Sequence, residues 1–146
     1  MDDIKIDNFR ETYSSQAFPT FHVLSLIELE SIQLKLREKL RLKSEVDLLG
    51  LSQELSNLGE VVTDIDARND GFNLSEFIES LGLCSNDSIY LNWYRFDDID
   101  EMLLTELSCY FDDIWYASVD DVDIFDDSLS WFVSIRHDGA VYIYNV

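Results

Sequence analysis

Two apolar runs near the end of the chain, W-F-V-S-I-R-H (Trp131–His137) and A-V-Y-I-Y-N (Ala140–Asn145), flank the dipeptide Asp138-Gly139. Runs rich in aromatic and β-branched residues separated by D-G form the strongest short-range signal of a β-hairpin, because glycine supplies the positive φ that a tight turn requires. A two-residue turn here pairs His137 with Ala140 and Ile135 with Tyr142. The remainder of the chain therefore has to supply further antiparallel strands and a layer that covers them.

The second half holds the strand candidates and the first half the helices. Ser88–Tyr94 (S-I-Y-L-N-W-Y) has strand composition, and Ile114–Tyr116, Val122–Phe125 and Val61–Ile65 are shorter candidates. From Phe21 to Lys43, Leu26, Leu29, Ile32, Leu36 and Leu40 recur at three- and four-residue steps, as on one face of a helix. Within that stretch Ser31–Lys43 also alternates apolar and basic residues as a half-buried strand would. Length and the lack of turn residues favour helix.

Ser44 begins S-E-V-D, an N-cap with an acid three residues on, and Leu48, Leu51, Leu55 and Leu58 follow at helical spacing up to Gly59. A short helix is expected over Leu74–Leu81, closed by Gly82. Another is expected from Asp97 or Asp98 to about Cys109, with Ile99, Leu103 and Leu107 on one face. Residues 1–20, ending at the only proline, Pro19, read as an irregular or extended lead-in. No repeat, low-complexity tract or linker divides the chain. The expectation is a single α+β domain over 1–146, with N-terminal helices packed on an antiparallel sheet that ends in the hairpin.

Composition then narrows the functional classes. A hydrophobic content of 47% and 13% aromatics argue for a folded core despite a net charge of -20. The charge is lopsided: residues 96–146 contain thirteen acids and one base, Arg136. Such a field repels nucleic acid and anionic membrane surfaces, and it steers a basic partner at a rate that falls as salt rises. M-D-D-I-K-I-D has neither the basic nor the apolar region of a signal peptide, and no apolar run reaches transmembrane length. The expected location is the cytoplasm, where Cys84 and Cys109 would be reduced, buried thiols.

Catalysis and metal binding are not expected. Asp66–Phe77 (D-A-R-N-D-G-F-N-L-S-E-F) imitates a calcium loop, but Arg68 takes a position that needs an oxygen ligand, and Glu76 falls one residue before the bidentate position. The aspartates at 120, 121, 123, 126 and 127 lack the tight glycine-containing loop that makes carboxylates converge on an ion. His137 lies beside a turn, His22 in an apolar stretch that suits a core histidine, and no nucleophile–base or phosphate-loop motif is present. No enzyme activity, cofactor or metal is predicted.

The run Tyr110–Phe132 concentrates seven aspartates and seven aromatics in twenty-three residues without a Lys, Arg or His. If Val122–Phe125 is a strand, Val122 and Ile124 face one side, and Asp121, Asp123 and Phe125 face the other. Carboxylates then recur every 6.6–7 Å or so, an interval close to the phosphate spacing of a nucleic-acid strand. Two interpretations compete: Trp115, Phe125 and Trp131 as core with the aspartates as a solubility device, or an acidic, aromatic-containing surface for a cationic partner. Concentrated like charge costs stability by self-repulsion, which favours the second. The predicted contacts are Asp112, Asp113, Asp120, Asp121, Asp123, Asp126 and Asp127, with Trp115 and Tyr116 as anchors.

The segment Tyr110–Tyr144, with Y-F-D-D-I-W-Y, D-D-V-D-I-F-D-D-S-L-S-W and S-I-R-H-D-G-A-V-Y-I-Y, resembles the C-terminal part of small bacterial proteins. Some of these look like immunity proteins of contact-dependent growth inhibition and other polymorphic toxin systems. The resemblance implies an acidic cytoplasmic protein that binds a cognate, basic, nuclease-type toxin domain and blocks its active site or substrate groove. It implies no fold and no particular binding residues. The alternative is a non-enzymatic adaptor or regulatory module working through an apolar helix face of the first half, with the basic stripe Lys35, Arg37, Lys39, Arg41 and Lys43 docking an acidic neighbour or a second copy.

Overall fold

A seven-stranded antiparallel sheet organises the chain, its strands lying side by side in the order Phe21–Val23, Ile99–Leu103, Ser88–Asn92, Val122–Phe125, Trp131–Ile135, Ala140–Asn145, Glu60–Asp66. The computed structural model describes residues 1–83, 87–93 and 95–146. In chain order the elements are α1 (Asp3–Thr12), β1 (Phe21–Val23), α2 (Leu26–Lys39), α3 (Leu48–Ser56), β2 (Glu60–Asp66), α4 (Leu74–Ser80), β3 (Ser88–Asn92), β4 (Ile99–Leu103), α5 (Leu104–Cys109), α6 (Phe111–Ile114), β5 (Val122–Phe125), β6 (Trp131–Ile135) and β7 (Ala140–Asn145). The α+β expectation is correct, and so is the placement of the helix-rich part before the C-terminal strands.

Register sorts the side chains into rows, because residues opposite each other across neighbouring strands share a face. Leu91, Ile124, Val133 and Ile143 form one row; Tyr90, Phe125, Phe132 and Tyr144 form another on the opposite face. The first row packs with Leu74, Ile78, Leu107, Phe111 and Ile114 from α4, α5 and α6. The second packs with Leu29, Ile32 and Leu36 of α2 and Leu51 and Leu55 of α3. The sheet is covered on both sides, so β5 and β6 are buried at every position.

Several expectations fail for identifiable reasons. Residues 1–20 are not an irregular lead-in: Asp2 caps α1 by accepting from the Ile4 amide at 2.9 Å. On the inner face of α1 only Lys5 and Phe9 are buried, which is too little for an amphipathic pattern to register. The helix over 21–43 is shorter, and a capping box between Ser25 and Glu28 starts α2 after β1 has split off as an edge strand. Asp47, not Ser44, caps α3. Residues 99–103 form a strand rather than the first turn of a helix capped at Asp97 or Asp98, because both of their edges are taken, by β1 and β3. Ile114–Tyr116 is not a strand; Ile114 ends α6. Tyr94, expected in a strand, and Cys84, expected to be buried, lie outside the described residues. Cys109 is exposed rather than buried. His22 is also exposed, its Nε2 lying 3.3 Å from Glu28.

The hairpin exists with a one-residue correction. Ile135 pairs with Val141, not Tyr142, and the Arg136 amide donates to the Ala140 carbonyl at 2.9 Å. Gly139 takes φ +87°, so the loop holds three residues, 137–139, with glycine in the left-handed position.

Candidate protein-binding face

The nine residues singled out by sequence do not share one exposed strand face. β5 runs through the middle of the sheet, and Asp123 is buried within a polar network rather than presented to solvent. Its Oδ2 accepts from Asn92 Nδ2 at 2.8 Å, its Oδ1 accepts from the Ser134 hydroxyl, and the Arg136 guanidinium lies 3.9 Å away. Burial pushes the Asp123 carboxyl above its ordinary value of 3.8, and Arg136, Ser134 and Asn92 partly oppose that rise. Asp126 is also buried, accepting from the Trp131 indole N–H at 3.0 Å and from the Ser128 amide at 3.0 Å. Neither carboxylate is available to a partner, and the exposed ladder of aspartates does not exist.

Trp115 is likewise core. It is 3% exposed, stacks on Phe111 at 5.4 Å between ring centroids, and donates its indole N–H to the Asp120 carbonyl at 2.9 Å. Trp131 and Phe125 are buried too, so the core interpretation holds for all three rings.

Asp112, Asp113, Tyr116, Asp120 and Asp121 gather around α1 and α6, while Asp127 follows the other end of β5. Lys5 reaches from α1 into the loop after α6, where its ammonium donates to the Ile114 carbonyl at 2.6 Å and pairs with Asp120. The rings of Trp93 and Tyr116 face the same ammonium at 4.5 and 4.7 Å. Asp120 also accepts from the Tyr116 amide at 2.7 Å. Asp121 accepts from the backbone amide of His137 at 2.8 Å, tying the loop to the hairpin. Asp113 accepts from the Tyr13 hydroxyl at 3.0 Å; that bond and the carboxylate charge raise the Tyr13 pKa above its ordinary value. Asp112 and Asp127 are exposed.

Around these the fold assembles residues that sequence inspection passed over. Asp3, Asp7 and Glu11 recur every four residues and are exposed along the outer side of α1. That spacing was legible once 3–12 is recognised as helix. Val119 is 73% exposed at the mouth of a cleft of about 330 Å³ lined by Trp93, Val119, Asp120 and Asp121. A second cleft of about 280 Å³ shares Trp93 and Asp120 and is lined also by Asp2, Lys5 and Asp98. Ile4, 62% exposed on α1, stands one turn before Asn8, whose amide meets the Tyr116 hydroxyl at 3.3 Å. The result is a face of carboxylates around exposed apolar side chains, with the Trp93 side chain lining both of its clefts.

Among the described residues no group of three or more His, Cys, Asp or Glu side chains is placed to hold a metal ion. Asp66, the first residue of the calcium-like stretch, is instead held by Arg68 through a 2.6 Å ion pair. No helix among the described residues is long and apolar enough to cross a membrane. No family model, curated protein or solved structure matches the chain.

Proposed function

We propose that this chain is an immunity protein: it acts in the cytoplasm, binds a cognate basic, nuclease-type toxin domain, and occludes the surface with which that toxin engages its substrate. The observation that carries the proposal is Val119, 73% exposed beside a cleft formed by Trp93, Asp120 and Asp121. An apolar anchor bordered by carboxylates suits a partner whose lysine and arginine stems lie on apolar surface while their heads meet charge. The ridge Asp3–Asp7–Glu11 on α1 and Asp112 on α6 extend the same electrostatic character beyond the cleft. This surface replaces the β5 ladder as the site of contact; of the aspartates first singled out, Asp112, Asp113, Asp120 and Asp121 remain in it or at its margins, whereas Asp127 follows the opposite end of β5.

The experiment is calorimetric titration of the chain with the protein encoded by the adjacent gene, at low and high salt. Two variants accompany the wild type, Val119→Asp and the triple change Asp3→Asn, Asp7→Asn, Glu11→Gln. Loss of the anchor is expected to weaken binding roughly tenfold or more, about 1.4 kcal/mol. The triple change is expected to weaken binding and to flatten its salt dependence. Full affinity in both variants would remove this face from the interaction. The adaptor reading is favoured by a different observation, the exposure of Leu26 and Ile27 on α2 at 78% and 79%.

A further inference from the structure

The outer side of α2 is the least expected surface of the molecule. Of the ten exposed large apolar side chains among the described residues, Leu26, Ile27 and Leu34 lie on α2, and Val23 lies at the end of β1 just before it. Leu26 and Ile27 are the most exposed of all. The helix does not need them outward. Its inner face is already built from Leu29, Ile32 and Leu36, and its start is held by the box in which Ser25 and Glu28 cap each other. Ile27, Ser31 and Leu34 lie at steps of four and three residues, so they form one row on the solvent side with a small residue at its middle.

Charge along the same helix is arranged by halves. Residues 26–33 contain Glu28 and Glu30 and no base, whereas residues 34–39 contain Lys35, Arg37 and Lys39 against Glu38, and Arg41 and Lys43 follow just past the end of the helix. Arg37 is engaged within the fold, donating to the Val46 carbonyl, while Lys35, Lys39, Arg41 and Lys43 are exposed. A helix that is acidic in its first half, basic in its second and apolar along its outer row is complementary to itself in the antiparallel sense.

We infer that α2 docks antiparallel on α2 of a second copy of this chain, forming a two-fold dimer. In that arrangement Ile27 of each copy packs on Leu34 of the other. Ser31 lies at the axis, where a small side chain lets the backbones approach. Glu28 of each copy lies across from Lys35 of the other, and the acidic half of each helix covers the basic half of its mate. Because the same patch is used on both copies, the contact closes at two chains. The inference is independent of the proposed toxin face, which does not include α2, so one can fail without the other.

The test is the solution mass, by light scattering after size exclusion, of the wild type and of Ile27→Glu/Leu34→Glu. The expected result is a dimer, twice the 17.0 kDa of one chain, that becomes a monomer with unchanged far-ultraviolet circular dichroism in the variant. Both substituted positions are already solvent-exposed, so the variant tests the contact rather than the fold. Geometry is checked separately with Ser31→Cys in a background where Cys84 and Cys109 are serine, against Gln53→Cys on α3 as control. Mild oxidation should link Ser31→Cys chains as dimers and leave the control largely unlinked. A monomeric wild type at every concentration, a dimer untouched by the glutamate pair, or a mass that grows beyond two chains would each overturn the inference; the last would indicate head-to-tail contact between the basic stripe and the acidic face.

Discussion

The ammonium of Lys5 and the carboxylate of Asp120, 115 positions apart in sequence, meet in a pocket where their side chains are 6% and 14% exposed. The acidic run is therefore not wholly unpaired. One of its cations arrives from the first helix, and another, the Arg136 guanidinium, from the neighbouring strand end.

Removing one member of the Lys5–Asp120 pair leaves the other buried without a countercharge. Lys5→Met is expected to destabilise the fold by about 3–5 kcal/mol, measured by urea unfolding. Lys5→Met combined with Asp120→Asn should cost clearly less than the sum of the two single changes. Additive costs would mean that the two side chains do not interact.

Asp123 gives the stability a recognisable pH signature. Its folded carboxyl binds a proton more readily than the unfolded one, whose ordinary value is 3.8. The stability it contributes is therefore fully present below 3.8 and is lost as pH rises through the higher folded value. The stability difference between wild type and Asp123→Asn should thus shift in favour of the wild type as pH falls toward 3.8. A difference independent of pH would show that the buried carboxyl titrates like a free one.

Asp66 behaves in the opposite sense. Hydrogen bonds from the Arg68 side chain and backbone hold its pKa at about 2, below the ordinary 3.8. Its favourable contribution is complete above 3.8 and is lost as pH falls through the region near 2. A carbon-detected NMR titration should find Asp66 among the last carboxylates to protonate, and Arg68→Ala should return it toward 3.8.

Gly139 occupies the left-handed region at φ +87°, and a Cβ there would run into the Asp66 carboxylate and the Arg68 side chain. Gly139→Ala is expected to cost roughly 1–3 kcal/mol in thermal or urea unfolding. Hydrogen exchange should rise first at the β2–β7 pairing, which begins beside this loop.

Much of this fold was readable because the signals were local. Asp138-Gly139, the Leu29–Ile32–Leu36 face and Gly82 after Leu81 each act through neighbours within a few residues. The failures share a different cause. β4 is a strand because β1 and β3 claim its two edges, and nothing within Ile99–Leu103 announces those partners. α1 is held by its cap, by Lys5 and by Phe9 in a ring cluster with Tyr13, Phe18 and Tyr110, so its amphipathic signal is weak. At the candidate face, Asp112, Asp120 and Asp121 were legible as a concentration of charge. The burial of Asp123 and Asp126 was not, because alternation along β5 could not reveal that both faces of the sheet are covered. Val119 carries no pattern at all; only its position at the cleft gives it meaning.

The strand order has a consequence for how the protein is made. β3 to β7 come from residues 88–145 and lie side by side, while β1 and β2, both from the first half, occupy the two outer edges. A ribosome therefore delivers the rims of the sheet before any of its centre. When the first 87 residues have emerged, β1 still lacks β4, β2 still lacks β7, and Leu36 and Leu51 have no sheet to cover. β2 waits longest, because among the described residues it pairs only with β7, which follows the other six strands in sequence. A nascent chain that stalls a few residues short of Asn145 has all the described helices and six of the seven described strands, yet no complete mate for β2.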